Sequence, residues 1–420
     1  MTNRIDDLNI QWPPTMSKEE REELLDILRA LDGAHGDFDN DHSVIYPSDA
    51  DRLRLFHTAE KRWAKRWSRP SPCMHEGCTE PSIPRSHSIS LSASMKLIAE
   101  HGHVVTPKLG KTGIEMERIG IRDASTFPGF CARHEAQFME FETKKEMSSN
   151  RHYLLQTFRT LCREIFRMRH QKEKLESALN GYRELRREFV ATRIRQVHHS
   201  KPLEVRDIRF ENDEYEDSAV EAIDSISEDL PILERLYRDL FDDIENATTE
   251  SSLFVISFDL RLPVCLSGLG ILNYVEGSKT MRALCLLAIV PEERQTKIIV
   301  GAAKEHANAL ASYCSNGTSP ALLAMMESWL CHGSDHWFMT PSEWHAIPES
   351  RQKAILGRIS DPHPSIADPV EFSIFDSVRS KIIDSIEQAL SNGEVPTDKL
   401  VEVHDLLASE KKKLHNLTST

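Results

Sequence analysis

Cys73 and Cys78 stand five positions apart in the stretch "CMHEGCTEPSIPRSHSIS" at 73–90, and a Ser-His step, Ser86–His87, follows them. Further along, "FCARHE" sets Cys131 and His134 three positions apart at the start of a helical pattern, so both side chains can point the same way. Three thiols and an imidazole form a zinc donor set. Zinc needs four such ligands on two short rigid elements, because a tetrahedron cannot be assembled from one strand. The spacing C-x4-C … C-x2-H favours metal over disulfide in a chain that lacks a secretory leader pattern. His75, inside the first pair, is a rival ligand, and two unrelated cysteine pairs are the plainer alternative.

These residues carry a resemblance. The segments "IPRSHSIS", "EHGHVV" and "DASTFPGFCARHE" match a pattern of cysteine knuckle, "I-x-SH-x-I" step, "GHV" turn and "AS-x-F-x-GFC-x-x-HD/E". That pattern resembles treble-clef zinc proteins of the HNH endonuclease type, within them a group of bacterial proteins, over about residues 70–145. The resemblance implies structural zinc on Cys73, Cys78, Cys131 and His134. It implies His87, on the first hairpin strand, as the general base, and Glu135, directly after His134, as the holder of a catalytic Mg2+ or Mn2+ beside the leaving 3′-oxygen. It further implies nucleic acid as substrate, DNA in preference to RNA. The company such modules keep implies an effector role in prokaryotic phage or mobile-element defence. Two departures matter. Glutamate replaces the usual histidine at the helix start, and the expected asparagine is missing, its place falling among Asp123, Ser125 and Thr126. A non-catalytic zinc scaffold that binds a protein or nucleic-acid partner is therefore the competing expectation.

Other clusters have weaker claims. "WLCHGSDHWF" gathers Cys331, His332, Asp335 and His336, but core packing of Trp329 and Trp337 explains its composition. "HTAEKRWAKRWSR" interleaves Trp63 and Trp67 with Lys61, Arg62, Lys65 and Arg66. It reads as a phosphate-gripping face or as a half-buried helix with a solvated basic side. "DFDNDH" imitates a calcium loop but has His42 and Ser48 where glycine and the closing glutamate belong, so it reads as a turn.

The elements that must position these residues follow from patterning. The 420 residues, 40% hydrophobic and 28% charged, describe a multi-domain globular protein. Its net charge of −14 argues against an all-over nucleic-acid coat. No apolar run is long enough to span a membrane, and a cytoplasmic location is expected. "SKEE" at 17–20 is a capping box ahead of a helix that Gly33 ends, and a second helix starts near Ser48. Residues 71–145 form the zinc module, with two short strands joined around "GKTG" and a helix from Cys131.

From 150 to 200 the apolar residues Leu154, Phe158, Leu161, Ile165 and Met168 step by four and three, a heptad seam that reads as a coiled-coil arm. Asn180–Gly181 is a candidate break. The arm is basic and residues 204–250 are acidic, so internal pairing is expected, with nucleic-acid binding or self-association as its rivals. Pro231 fits a first helical position. "SLFVISF", "LCLLAIV" and "TKIIVGA" read as strands of a C-terminal α/β domain at 249–360, and 361–420 as two closing helices. The expected fold class is thus α+β: N-terminal helices (1–70), a zinc treble clef (71–145), a helical arm (146–248) and the C-terminal parts.

Overall fold

A computed structural model describes residues 12–40, 48–110, 113–197, 209–210, 213–361 and 365–416. The helices begin with α1 (Lys18–Leu31), α2 (Ala34–Asn40), α3 (Asp49–Trp67), α4 (Lys96–Ile98), α5 (Ala132–Glu135) and α6 (Met139–Lys144). Two long ones follow, α7 (Asn150–Val197) and α8 (Glu214–Glu245). The remaining six are α9 (Ala307–Tyr313), α10 (Ser319–Ser328), α11 (Pro341–Ala346), α12 (Glu349–Ile359), α13 (Asp376–Ser391) and α14 (Leu400–His415). The strands are β1 (Ser86–His87), β2 (His103–Leu109), β3 (Ile114–Gly120), β4 (Thr126–Phe127), β5 (Ser251–Phe258), β6 (Val264–Glu276), β7 (Lys279–Pro291), β8 (Thr296–Ala303) and β9 (Trp337–Met339). None of the described helices is long and apolar enough to cross a membrane.

The chain divides into two compact units, 1–67 with 168–229, and 68–167 with 230–420. In the first, the capping box forms as the sequence predicts: Ser17 accepts from the Glu20 N–H and the Glu20 carboxylate accepts from the Ser17 N–H. Phe38, Phe189, Val190 and Ile194 make its apolar centre. The buried Arg186 donates to Asp213 (2.7 Å) and to Glu216, so basic α7 and acidic α8 pair here within one unit. Trp63 and Trp67 both set their rings edge-on to His170, and Arg66 lies over Trp63. Both tryptophans of α3 are thereby engaged internally. The stretch read as a calcium-like turn starts inside α2, and its remainder lies outside the described residues.

The second unit is built on a seven-stranded sheet of order β3-β2-β9-β6-β7-β8-β5. Every pairing in it is antiparallel, so the α/β domain expected after residue 249 is in fact antiparallel and mixed α+β. The hairpin around residues 110–113, expected inside the zinc module, is the β2–β3 edge of this sheet and meets β9 through Val105 and Met339. The sheet thus crosses both expected boundaries, at 145 and 249. β-branched content announces strands but does not name their neighbours.

Helix α7 runs through this unit as a core helix. Leu154 to Ile165 are all buried, including Gln156, Thr157, Arg159, Thr160, Arg163 and Glu164. The seam residue Phe158 lies 5.1 Å from the Tyr237 ring of α8, and its neighbour Thr160 meets Ser267 Oγ of β6 through Oγ1 at 2.9 Å. A helix buried all round has no exposed seam to offer a partner helix, so the coiled-coil reading of this stretch is corrected. Gly181 does not break α7, and Pro231 sits inside α8, not at its first turn. On the opposite sheet face, Cys285, Leu287, Ile289, Val300 and Ala302 pack with Trp329, Leu323 and Phe375.

Candidate metal centre

The knuckle is a tight loop. The Cys73 N–H donates to the Glu80 carbonyl, the Cys78 N–H donates to the His75 carbonyl, and Gly77 supplies the left-handed turn between them (φ 71°). Main-chain bonds from Met74 to Gly129 and from Ile83 to Phe130 lash this loop to the segment ahead of α5. Gly129 is required there, because a Cβ would lie 2.3 Å from the Phe127 ring. Cys131 caps α5 and His134 lies in its single turn, as the sequence predicts.

The four donor atoms of Cys73, Cys78, Cys131 and His134 lie within 4.8 Å of one another. Zinc–sulfur bonds of about 2.3 Å and zinc–nitrogen bonds of about 2.0–2.1 Å make a tetrahedron with edges of about 3.8 Å (S–S) and 3.5 Å (S–N). The Cys78–Cys131 sulfurs are 3.9 Å apart, and the Cys73 and Cys131 sulfurs are each 3.4 Å from His134 Nδ1. These edges fit zinc. His75 is not in the quartet: its ring stacks on His134 at 3.8 Å, and its Nδ1 bonds the Glu76 carbonyl.

Burial pushes the Cys73 thiol up to about 11, so zinc would have to displace its proton. Burial also raises Cys131, but the N–H groups of His134 and Arg133 and the neighbouring thiols outweigh it and the net shift is down. His134 is lowered by burial, then by the charges of His75 and Arg133, which favours the neutral imidazole a metal needs. Four protein donors close the coordination shell, the arrangement of a structural site.

The two residues expected to do chemistry lie beside this clasp. His87 sits on β1, whose partner is β4 (His87 opposite Thr126), not a strand of the β2–β3 hairpin. Between β1 and β4 in the chain, β2 and β3 belong to the large sheet instead. His87 Nδ1 lies 3.0 Å from the Ala124 carbonyl and 3.3 Å from Ser125 Oγ. A carbonyl only accepts, so Nδ1 carries the hydrogen and Nε2 keeps its lone pair. Ser125 is a buried non-glycine in the left-handed region (φ 56°). Burial lowers the His87 pKa, as does the charge of Arg159, against the raising effects of Ala124, Glu135 and Glu142. At neutral pH the ring is uncharged.

Glu135 takes a bond that the sequence did not announce. Arg159 of α7, 1% exposed, donates to Glu135 Oε1 at 2.7 Å and to Glu142 Oε1 at 2.6 Å, with Phe138 beneath the guanidinium. The other oxygen, Glu135 Oε2, is buried without a hydrogen-bond partner. Arg159, Glu142 and Ser125 are the residues that sequence reasoning missed as parts of this site. For Arg159 the one available signal was an arginine set between the apolar Phe158 and Leu161. Compared with known protein families, curated proteins and solved structures, the chain matches none.

Proposed function

We propose that the protein is a zinc-stabilised nuclease of the HNH type, hydrolysing phosphodiester bonds in nucleic acid, with the zinc clasp forming a treble clef. One observation carries this reading: His87 is held in the tautomer that leaves Nε2 as a base, within electrostatic reach of the half-buried Glu135, whose Oε2 is buried without a hydrogen-bond partner. In the reaction, His87 Nε2 takes the proton of a water whose oxygen attacks phosphorus, and the bond from phosphorus to the 3′-oxygen breaks. Glu135 Oε2 is the donor free to hold Mg2+ or Mn2+, which when bound would neutralise charge at the departing oxygen. Arg159 fixes the Glu135 carboxylate from its other side. The same ion pair favours a second reading, a non-catalytic scaffold in which Arg159 already satisfies the charge of Glu135.

Cleavage assays on plasmid DNA and on RNA, with Mg2+ and with Mn2+, separate the two. His87→Ala should lower cleavage by about a hundredfold or more while leaving zinc content unchanged. Wild-type protein that cuts neither substrate with either metal would establish the scaffold reading instead.

A further inference from the structure

The large sheet of the second unit ends on one side at β5, whose strand neighbour among the described strands is β8 alone. Every residue of β8 is buried, whereas Leu253 to Ile256 of β5 are half-buried and Ser257 is exposed. Two contacts fix which way the β5 main chain faces. The Ser252 carbonyl turns toward β8, lying 3.6 Å from where a Cβ on Gly301 would stand, and the Ser251 N–H turns away to the Asp243 carboxylate. Bonding alternates along an antiparallel pair, so Leu253, Val255 and Ser257 present both N–H and C=O outward. Among the described residues these outward main-chain groups meet no hydrogen-bond partner.

An open edge is ordinarily blunted by charge, proline or a bulge. The opposite edge follows that rule, since β3 carries Glu115, Glu117 and Arg118, all exposed. β5, "SSLFVISF", holds no charge and no proline, and it pairs with β8 without a bulge from Ser251 to Phe258. The edge is also complementary to itself. Two copies turned about a two-fold axis at Val255 set Leu253 against Ser257 and Val255 against Val255, each pair exchanging both main-chain bonds. Phe254 then lies opposite Ile256 of the other copy, in the closer non-hydrogen-bonded position, an aromatic against a β-branched side chain. Both residues already pack on the apolar core of the sheet, which the junction would continue. Asp259, the first charge beyond the strand, falls opposite Ser251, so no like charges meet.

We propose that β5 is the interface with a second copy of this chain, the two strands pairing antiparallel about Val255 to carry the sheet from one subunit into the other. Such a contact is isologous and closes at two copies, and the charged β3 edges offer no second place to extend it. The inference uses neither the zinc ligands nor His87 and Glu135, and stands apart from the nuclease reading.

The test is light scattering on the full chain at up to about 100 µM, because a single strand pair is a small interface with micromolar dissociation expected. The wild type should show twice the chain mass. Val255→Pro removes the central outward N–H and no bond to β8, so it should be a monomer with unchanged circular dichroism. Val255→Lys and Val255→Glu each set like charges opposite one another on the two-fold axis, and each should be a monomer. Mixed in equal amounts, the lysine and glutamate variants should regain the dimer, which keeps the test decisive should the proline variant fail to fold. The proposal is overturned if the wild type is a monomer, even one whose edge accepts an unrelated extended peptide, or if it assembles beyond two copies. It is equally overturned if either charged variant remains a dimer, or if their mixture stays monomeric.

Discussion

Replacing Cys131 with serine should strip the protein of zinc. Cys131 is the hub of the quartet, its sulfur 3.9 Å from Cys78 and 3.4 Å from His134 Nδ1, and its N–H donates to the Cys73 sulfur at 3.3 Å. Structural zinc supplies about 10–16 kcal/mol of apparent binding free energy in small zinc domains. Divided over four comparable donors, one thiolate contributes about 3 kcal/mol, or about a hundredfold in affinity. A neutral hydroxyl recovers little of that. The knuckle would keep its main-chain bonds to Gly129 and Phe130 and the Tyr237 hydroxyl on the Met74 carbonyl, so loosening should stay local. Elemental analysis after dialysis against a chelator that buffers free zinc between the two affinities should find zinc near one per chain in the wild type and near zero in the variant. Trypsin should then cut faster at the exposed Arg85 and Arg133. A variant with undiminished zinc, or a wild type that never carries any, would refute the reasoning.

Phe158→Ala should cost about 3–5 kcal/mol, because a fully buried ring is removed from between Phe130, Tyr237 and Phe241; chemical denaturation measures it, and a loss under 1 kcal/mol would deny the central role given to α7. Asp243, buried at the end of α8, accepts from the Glu250 and Ser251 N–H groups and from the Thr248 and Ser251 hydroxyls. Burial alone would raise its carboxyl, but these donors hold it below its ordinary 3.8. Its stabilisation is therefore present above that value and lost as pH falls through the lowered folded value. Asp243→Asn should be less stable than the wild type at pH 7, with the gap closing toward pH 3; a gap independent of pH would count against the loop clamp.

Local chemistry was legible in the sequence. The capping box at Ser17 and Glu20 and the helix from Cys131 depend on residues a few positions apart, and the grouping of Cys73 and Cys78 with Cys131 and His134, 53 and 61 positions apart, was legible because each half is a short metal-ligand spacing of its own. What failed depended on partners far along the chain. The polar residues between Phe158 and Ile165 make α7 look amphipathic, yet Arg159, Thr160 and Glu164 are buried because each finds a bond there. β6, among the longest strands of the sheet, escaped notice because Gly268 and Gly270 interrupt its β-branched pattern. Both glycines answer to remote neighbours: a Cβ on Gly268 would fall 1.9 Å from Ser334 Oγ, and one on Gly270 2.6 Å from Ile366. Gly181 is tolerated in α7 at a cost of about 1 kcal/mol, which such packing easily offsets.

The all-round burial of Leu154 to Ile165 in α7 also sets a timetable. Its buried face is covered partly by β6, 107 residues after Thr160, and Ser88, the residue after His87, finds His336 only 248 residues later. At roughly 5–20 residues per second of synthesis, that last bond waits roughly 10–50 s. Until β6 is made, roughly 5–20 s after Thr160, Leu154, Phe158, Leu161 and Ile165 lack that cover, even if zinc has already closed its clasp. A chain stopped before β6 would therefore be no smaller version of this protein, but a fragment with an uncovered apolar helix and every tendency to aggregate.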